Sequence, residues 1–367
     1  MINNKIFNTD KTEHEYQTSS LILGTEPGLF DTIHKKHPKI WNLYKEMKSL
    51  DWSEDEFDYS QCNIDFKNCP TEVADMMIRT LAWQWEADSI ASRSIISVLA
   101  PFITSSELWA AWQRVSDNEV VHAATYSEIV RMSFDDPKRV LGNILSVKES
   151  LSRLDAVGTI FGNTHTLAHR YALGDVMNDQ ELYNEVYLTI ATLLMLERIQ
   201  FMASFAITFT ICGAGLFQPI GKAVQKIAQD ELEVHSELDK EVLRVERKTE
   251  RGKIAHLQMS DRIKHVFEEI VNSECIWVDY LFADGRSLVG ANADLIKNWV
   301  LYNARSVADF MGIDTTIKMP RINPMPSMNN WLNMNKTQAA PQEQDLAAYK
   351  VGAVVHDDAD ANFDVDF

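Results

Sequence analysis

Apolar side chains recur three and four residues apart through most of the chain, from about residue 71 to residue 311. Positions with this spacing share one face of a helix, so the pattern predicts amphipathic or buried helices. The first begins at Thr71 in a capping-box-like sequence and ends before Pro101. Few alternating patterns suggest strands, and the fold class is therefore predicted to be all-α. The predicted helices cover about 71–100, 106–135, 147–173, 181–212, 219–247, 261–283 and 293–311.

The two ends of the chain differ from this helical middle. Residues 1–30 are polar and irregular, and the sequence after residue 319 is rich in Pro, Asn and Met. The last twelve residues, HDDADANFDVDF, contain five Asp and two Phe. Such a composition buries too little apolar surface to order itself. We therefore predict an irregular segment (1–30), a helical domain (31–318) and a flexible tail (319–367), whose aromatic residues favour a docking peptide over a merely solvated end.

The predicted helix at 181–212 is apolar enough from Tyr187 to Cys212 to span a bilayer. Glu197, Arg198 and Gln200 lie in its middle, where charged and polar groups are costly in lipid. We therefore expect a buried helix of the protein core rather than a membrane span.

Composition narrows the setting of the protein. The 367 residues carry a net charge of −18, which argues against nucleic acid or an anionic membrane as the main partner. The four cysteines are scattered without a CxxC pair, so neither a disulfide framework nor a zinc ribbon is indicated. No signal-peptide pattern is visible at the start. A reducing, cytoplasmic location is predicted.

Acids and histidines interrupt four of the predicted helices at apolar positions. Buried ionised carboxylates cost several kcal/mol each unless a cation compensates them, and two divalent metal ions would do so. Oxygen and nitrogen ligands suit iron or manganese, whereas structural zinc favours thiolates. Di-iron bundles take one acid from each of two helices and a Glu-x-x-His from each of two others. The candidate ligands are Asp88, Glu119 with His122, Glu197, and Glu231 with His235.

Two further patterns bear on this hypothesis. Glu119, His122 and Tyr126 share one helical face, which directs a phenol as well as the two candidate ligands inward. His165 and His169, in HTLAH, lack the Glu of a zinc-protease motif and are interpreted as structural.

Seven motifs together carry a family resemblance: ADSI, EVVHAATY, LERIQFMASFA, IAQDELEVH, DYLFADGRSLVGAN, NPMP and APQEQDLAAYKVG. In their order and spacing the chain resembles the small, radical-generating subunit of class I ribonucleotide reductase, from about residue 25 to the C-terminus. The resemblance implies a ferritin-like bundle of long helices with a dinuclear metal site in its core. It also implies an oxidoreductase activity, the reduction of ribonucleoside diphosphates to deoxyribonucleotides.

The resemblance also implies a role for each site residue. Asp88, Glu119 and His122 would bind one metal, and the other would be bound by Glu197, Glu231 and His235, with Glu119 and Glu231 as bridges. The cofactor would be a di-iron-oxo centre formed with O2, or a manganese equivalent.

The radical chemistry is assigned in the same way. Tyr126 matches the radical tyrosine. Trp52, hydrogen-bonded through Asp230 to His122, matches the start of the transfer route, and Tyr349 matches its last tyrosine before the large subunit. The apolar pocket that shields the radical corresponds to Phe201, Phe205 and Ile227.

Partners follow from the same resemblance. The final NFDVDF would dock onto the large catalytic subunit, and the chain would form a homodimer. The sequence has no Gly-rich phosphate loop and no redox-active cysteine pair, so the nucleotide site is expected on the large subunit.

The sequence departs from the family pattern in two places. Glu231 and His235 are four residues apart rather than three, for which we expect a one-residue π-bulge near Leu232 to Val234. Val115 stands where many relatives have an aromatic residue, one turn before Glu119.

Three other functions use parts of the same pattern. A di-iron monooxygenase or desaturase would share the ligands but need a substrate cavity, and would leave Tyr126, Trp52 and the tail tyrosine unexplained. A ferritin-like iron-storage protein is usually shorter and has no use for the aromatic, acidic tail. A purely structural bundle leaves the cost of the buried charges uncompensated.

Overall fold

Helices form nearly all the regular structure of residues 20–25, 30 and 32–333, which are those that the computed structural model describes. Within these residues β-structure appears only as isolated bridge positions, among them the pairs Ile22–Ile103 and Leu288–Ala291, so the all-α prediction is confirmed. The helices are α1 (Pro38–Ser49), α2 (Ser60–Asn68), α3 (Thr71–Leu99), α4 (Ser106–Ser133), α5 (Pro137–Ile144), α6 (Lys148–Ser152), α7 (Asp155–Leu173), α8 (Gln180–Met195), α9 (Met202–Gly213), α10 (Gln218–Gln229), α11 (Ser236–Glu246), α12 (Glu250–Gln258), α13 (Ser260–Leu281), α14 (Ala293–Met311) and α15 (Met328–Trp331).

Capping residues mark the ends of several long helices. Side chains of Ser105, Asp179 and Asn292 accept hydrogen bonds from backbone N–H groups in the first turns of α4, α8 and α14. Gly312 ends α14 in the left-handed conformation, at φ 71°. The helix predicted over 147–173 is divided between α6 and α7. The helices α1, α2, α5, α12 and α15 have no counterpart among the predicted helices.

Two long helical runs are each widened by a π-turn. Leu196–Gln200 joins α8 to α9, and Asp230–His235 joins α10 to α11. The two turns contact each other, and Arg198 Nη1 of the first donates to the Leu232 carbonyl of the second at 3.3 Å. The bulge expected near Leu232 to Val234 is therefore confirmed, whereas the turn at Leu196–Gln200 was not predicted.

The most apolar run is a core helix. Gln180–Gly213 is 34 residues long and passes, by length and composition, as a candidate membrane span, yet 94% of its most apolar window is buried inside the protein. It packs against α7, α11, α12 and α13, in agreement with the sequence prediction.

After α14 ends, the chain remains in contact with α9 and α10. The Trp331 ring stacks on Phe209 with centroids 4.9 Å apart, and its carbonyl accepts a hydrogen bond from Gln225 at 2.6 Å. Tyr349 and the final NFDVDF lie outside the described residues, and the segment boundaries at residues 30 and 318 remain predictions.

Candidate metal centre

Six buried side chains from four helical runs meet at one point in the core. Asp88 comes from α3, Glu119 and His122 from α4, and the other three from the two π-turns, each at most 1% exposed. One potential ligand atom from each of Asp88, Glu119 and His122 lies within 4.8 Å of the others, and the same holds for the second group of Glu119, Glu197, Glu231 and His235. Glu119 belongs to both groups, so the two potential binding points are adjacent.

The two central glutamates face both histidines. His122 Nδ1 lies 3.5 Å from one oxygen of Glu119 and 3.1 Å from one oxygen of Glu231. His235 Nδ1 lies 3.5 Å and 3.4 Å from the other oxygens of the same two carboxylates. Each carboxylate thus spans from one histidine to the other, which is the placement that a ligand bridging two ions requires.

The π-turn explains how His235 reaches this point despite its longer spacing. A π-turn accommodates one more residue than an α-turn, and such turns are frequent at functional sites. Glu233, in the middle of the turn, is exposed, whereas Glu231 and His235 remain buried and side by side.

Outer hydrogen bonds orient both imidazoles. His122 Nε2 lies 3.1 Å from Asp230 Oδ2, which also accepts a hydrogen bond from Trp52 Nε1 at 2.8 Å. His235 Nε2 lies 3.3 Å from the Asn118 side-chain amide. With its Nε2–H donated to Asp230, His122 keeps Nδ1 free to bind a metal. The Trp52–Asp230–His122 hydrogen bonds expected from the sequence are present.

Several inward-facing atoms form no hydrogen bond with any of the described residues. Buried polar atoms without hydrogen bonds are rare in native proteins and call for an explanation. Metal ions would satisfy these donors, which are oxygen and nitrogen atoms of the kind that iron and manganese bind. The unpartnered atoms include both carboxylate oxygens of Asp88 and Glu231, Oε2 of Glu119 and Glu197, and Nδ1 of His122 and His235.

The pKa values of these groups are shifted because the buried carboxylates have too little positive charge around them. Burial, reinforced by neighbouring carboxylates, raises the pKa of Asp88 and Glu197 well above their ordinary values. Although burial alone would lower it, contacts with Glu231 and Glu119 raise the pKa of His235 to about 10. Protons therefore take the place that divalent cations would occupy.

Tyr126 lies one helical turn beyond His122 and is fully buried. Its hydroxyl has no hydrogen-bond partner among the described residues, and burial raises its pKa well above the ordinary value. Phe201, Phe205 and Ile227 are likewise buried, with the Phe201 and Phe205 rings stacked 5.6 Å apart. The phenol is thus protonated and shielded from water.

The sequence interpretation missed a further buried acid near the candidate ligands. Asp239 is 2% exposed, accepts a hydrogen bond from Trp112 Nε1 at 3.3 Å, and its pKa is raised to about 8 by burial. Its position four residues after His235, on the same helical face, was the available signal. His165 and His169, by contrast, lie on the exposed side of α7, with their Nε2 atoms 3.0 Å apart.

Comparison with known proteins adds a family assignment. The profile of the family described as "Ribonucleotide reductase, small chain" matches residues 29–324. The ribonucleoside-diphosphate reductase 1 subunit beta of Salmonella typhimurium is 26% identical over 359 residues, which cover 94% of each chain.

Solved structures support the fold. The ribonucleotide reductase R2 subunit of Clostridium botulinum superposes with a TM-score of 0.77 at 17% identity, covering 89% of this chain and 97% of that one. The dimanganese(II) NrdF of Streptococcus sanguinis gives a TM-score of 0.62 at 14% identity, covering 81% and 96%. The ferritin-like architecture expected from the sequence is therefore confirmed.

Proposed function

The chain belongs to the ribonucleotide reductase small-chain family, and from this premise we propose that it binds two iron ions, generates a tyrosyl radical on Tyr126 and delivers the oxidising equivalent to a large catalytic subunit. The observation that carries the proposal is the convergence of six buried potential ligands, with Tyr126 one helical turn beyond His122. Its buried hydroxyl forms no hydrogen bond with the described residues. As a small subunit of ribonucleotide reductase, the protein is part of an oxidoreductase.

The ligands divide into two sets under this proposal. Asp88 and His122 would hold one ion, and Glu197 and His235 would hold the other. The carboxylates of Glu119 and Glu231, which face both histidines, would be shared. When bound, the ions supply the redox chemistry with O2 that removes one electron and one proton from Tyr126. Iron is proposed over manganese, although the same ligand types bind either.

The protein controls the phenol in three ways. Burial keeps the Tyr126 hydroxyl protonated, so that its oxidation releases the proton together with the electron and leaves a neutral radical. The surrounding core excludes water. The hydroxyl donates no hydrogen bond to the described residues, and the nearby carboxylates of Asp88, Glu231 and Glu119 oppose its ionisation.

The transfer route begins at the hydrogen bonds between Trp52, Asp230 and His122. Asp230 holds the indole N–H and the imidazole N–H together, which provides a connected path from the metal centre to Trp52. Tyr349 and the C-terminal peptide are proposed to complete the route and to dock the large subunit. A cytoplasmic homodimer is proposed on the family resemblance alone.

The main alternative, a di-iron oxygenase, requires a substrate cavity at the metals. A groove of about 610 Å³ lies between α3 and α7, with Ala87 and Leu196 among its lining residues. These two residues adjoin Asp88 and Glu197 in sequence, but none of the six candidate ligands lines the groove. The oxygenase function is disfavoured because it leaves the Trp52–Asp230–His122 hydrogen bonds and the buried Tyr126 without a role.

The proposal is tested by exchanging Trp52. The Trp52→Phe variant removes the indole N–H that donates to Asp230 but leaves the ligands and Tyr126 in place. We expect it to form the tyrosyl radical in wild-type yield and to support no nucleotide reduction when mixed with the large subunit, measured as deoxynucleotide formed per radical. Full turnover by the variant would contradict the proposed route, and absence of any radical in wild-type protein would contradict the function.

A further inference from the structure

A fully buried arginine lies beside the first π-turn, outside the residues that the proposed chemistry uses. The Arg153 guanidinium lies over the Trp83 ring at 3.6 Å from its centroid and over the Trp277 ring at 4.6 Å. It forms an ion pair with Glu274, and both side chains are at most 2% exposed. The core therefore holds a charged pair between two indole rings.

Arg153 and Glu274 form hydrogen bonds with the backbone where the π-turn ends. Arg153 Nη2 donates to the Gln200 carbonyl at 2.6 Å, and Gln200 Nε2 donates back to the Arg153 carbonyl at 2.7 Å. Glu274 Oε1 accepts a hydrogen bond from the Ala203 backbone N–H at 3.2 Å. The change from a π-turn to α9 interrupts the regular ladder of helical hydrogen bonds, and these side chains supply partners on both sides of Phe201.

Stability alone is a poor reason for this pair. Burying two charges is costly, and well-packed apolar replacements are often neutral or stabilising. Arg153 also leaves Nε and Nη1 without hydrogen-bond partners. Burial lowers the pKa of Arg153 to about 10 and raises that of Glu274 to about 7, so each charge is held against a desolvation cost.

We propose that Arg153 and Glu274 are positioning residues that clamp the Leu196–Gln200 turn and so hold the Glu197 carboxylate where the second metal ion binds. Glu197 lies three residues before Gln200, inside the clamped turn. The inference rests on the proposed function, because it requires two ions. Partners that orient metal ligands typically change metal affinity by about 10- to 100-fold.

The test measures Mn²⁺ binding to metal-free protein by the loss of the free-ion electron paramagnetic resonance signal, which is independent of enzyme activity. Glu274→Gln breaks the charge pair, and Arg153→Lys keeps the charge but loses the stacked, planar fork. The double variant R153M/E274L leaves no unpaired buried charge, so it remains usable if a single variant unfolds. Glu197→Gln serves as the reference for loss of the ion on that side.

Arg286→Met is the matched control. Arg286 is also largely buried, pairs with a carboxylate (Asp75) and lies over the ring of Tyr280. No contact joins it to the Leu196–Gln200 turn among the hydrogen bonds and ion pairs of the described residues. Any general effect of removing a buried arginine should therefore appear in this variant too.

We expect the clamp variants to bind the first ion within about twofold of wild type and the second at least about tenfold more weakly, with Arg153→Lys intermediate and Arg286→Met unchanged. Folded clamp variants that bind both ions as wild type does would overturn the inference while leaving the proposed function intact. A wild-type protein that binds fewer than two ions would overturn both.

Discussion

At the scale of single residues, the candidate centre concentrates ionisable groups where a protein core tolerates them least. Asp88 and Glu197 carry pKa values raised by burial, and His235 is held protonated by two glutamates. Bound cations would reverse this, because metal ligands must lose their protons. The same residues that destabilise the metal-free core are therefore those that a metal would use.

Asp239 allows the effect of a buried carboxyl group on the free energy of unfolding to be measured. Its pKa in the folded protein is about 8, raised by burial from an ordinary value near 3.8. Because the folded state binds the proton more tightly than the unfolded state, this group lowers the free energy of unfolding progressively as pH rises from about 4 to 8. Asn at this position has no such proton and can still accept a hydrogen bond from Trp112.

For metal-free Asp239→Asn, we therefore expect a stability advantage over wild type that grows from pH 5 to pH 8, by up to about 1.4 kcal/mol per pH unit. Urea unfolding of both proteins at several pH values measures it. Parallel stability profiles would show that Asp239 is ionised in the folded core.

At the scale of helices, the two π-turns decide where the second ligand set lies. Both turns are held by arginines, since Arg198 reaches the Leu232 carbonyl and Arg153 reaches the Gln200 carbonyl. The Leu232 carbonyl also accepts a hydrogen bond from Ser236 Oγ at 2.8 Å. Side chains thus donate hydrogen bonds to backbone carbonyls at both π-turns, in the helical runs that carry Glu197, Glu231 and His235.

Deleting Glu233 should convert the second π-turn into a regular α-helix. Glu231 and the histidine would then be three residues apart and still on one face. We expect the deletion variant to fold and to bind two Mn²⁺ ions within about tenfold of the wild-type affinities.

Deletion of Gln113 provides the comparison, since it is also exposed but lies within the regular helix α4. That change rotates the following residues by about 100° and should abolish binding through Glu119 and His122. If both deletions were equally damaging, the extra residue would not be absorbed by the π-turn.

Local sequence patterns predict the long helices better than the contacts between them. The start of α3 at Thr71 and the bulge near Leu232 followed from spacing and from comparison with the family pattern. The sequence gives no sign of the π-turn at Leu196–Gln200, because each of its residues is compatible with a regular α-helix. The Arg153–Glu274 pair joins residues 121 positions apart, a contact that periodicity does not reveal.

At the scale of the whole molecule, the described residues form a buried candidate metal centre, and the nucleotide site is expected on the large subunit. The five Asp and two Phe of the last twelve residues distinguish the tail from the helical core. If that tail serves only to dock the large subunit and pass on the radical, its removal should leave metal binding and radical formation unchanged.

A chain ending at residue 333 keeps Trp331 and its stacking contact with Phe209. We expect it to bind metal and form the radical as the full chain does, but to lose nucleotide reduction with the large subunit. Addition of the separate peptide 334–367 should inhibit the full-length protein by competition. Retained turnover in the shortened protein would place the docking site elsewhere.

The central claim is that the buried carboxylates and histidines serve to oxidise Tyr126. The most direct measurement is an electron paramagnetic resonance spectrum of metal-free protein given ferrous iron and O2, beside the same treatment of Tyr126→Phe. The account predicts a tyrosyl signal in the wild type that is absent from the variant, with two iron ions bound in both. Iron uptake by the wild type without a radical, or an unchanged signal in Tyr126→Phe, would contradict it.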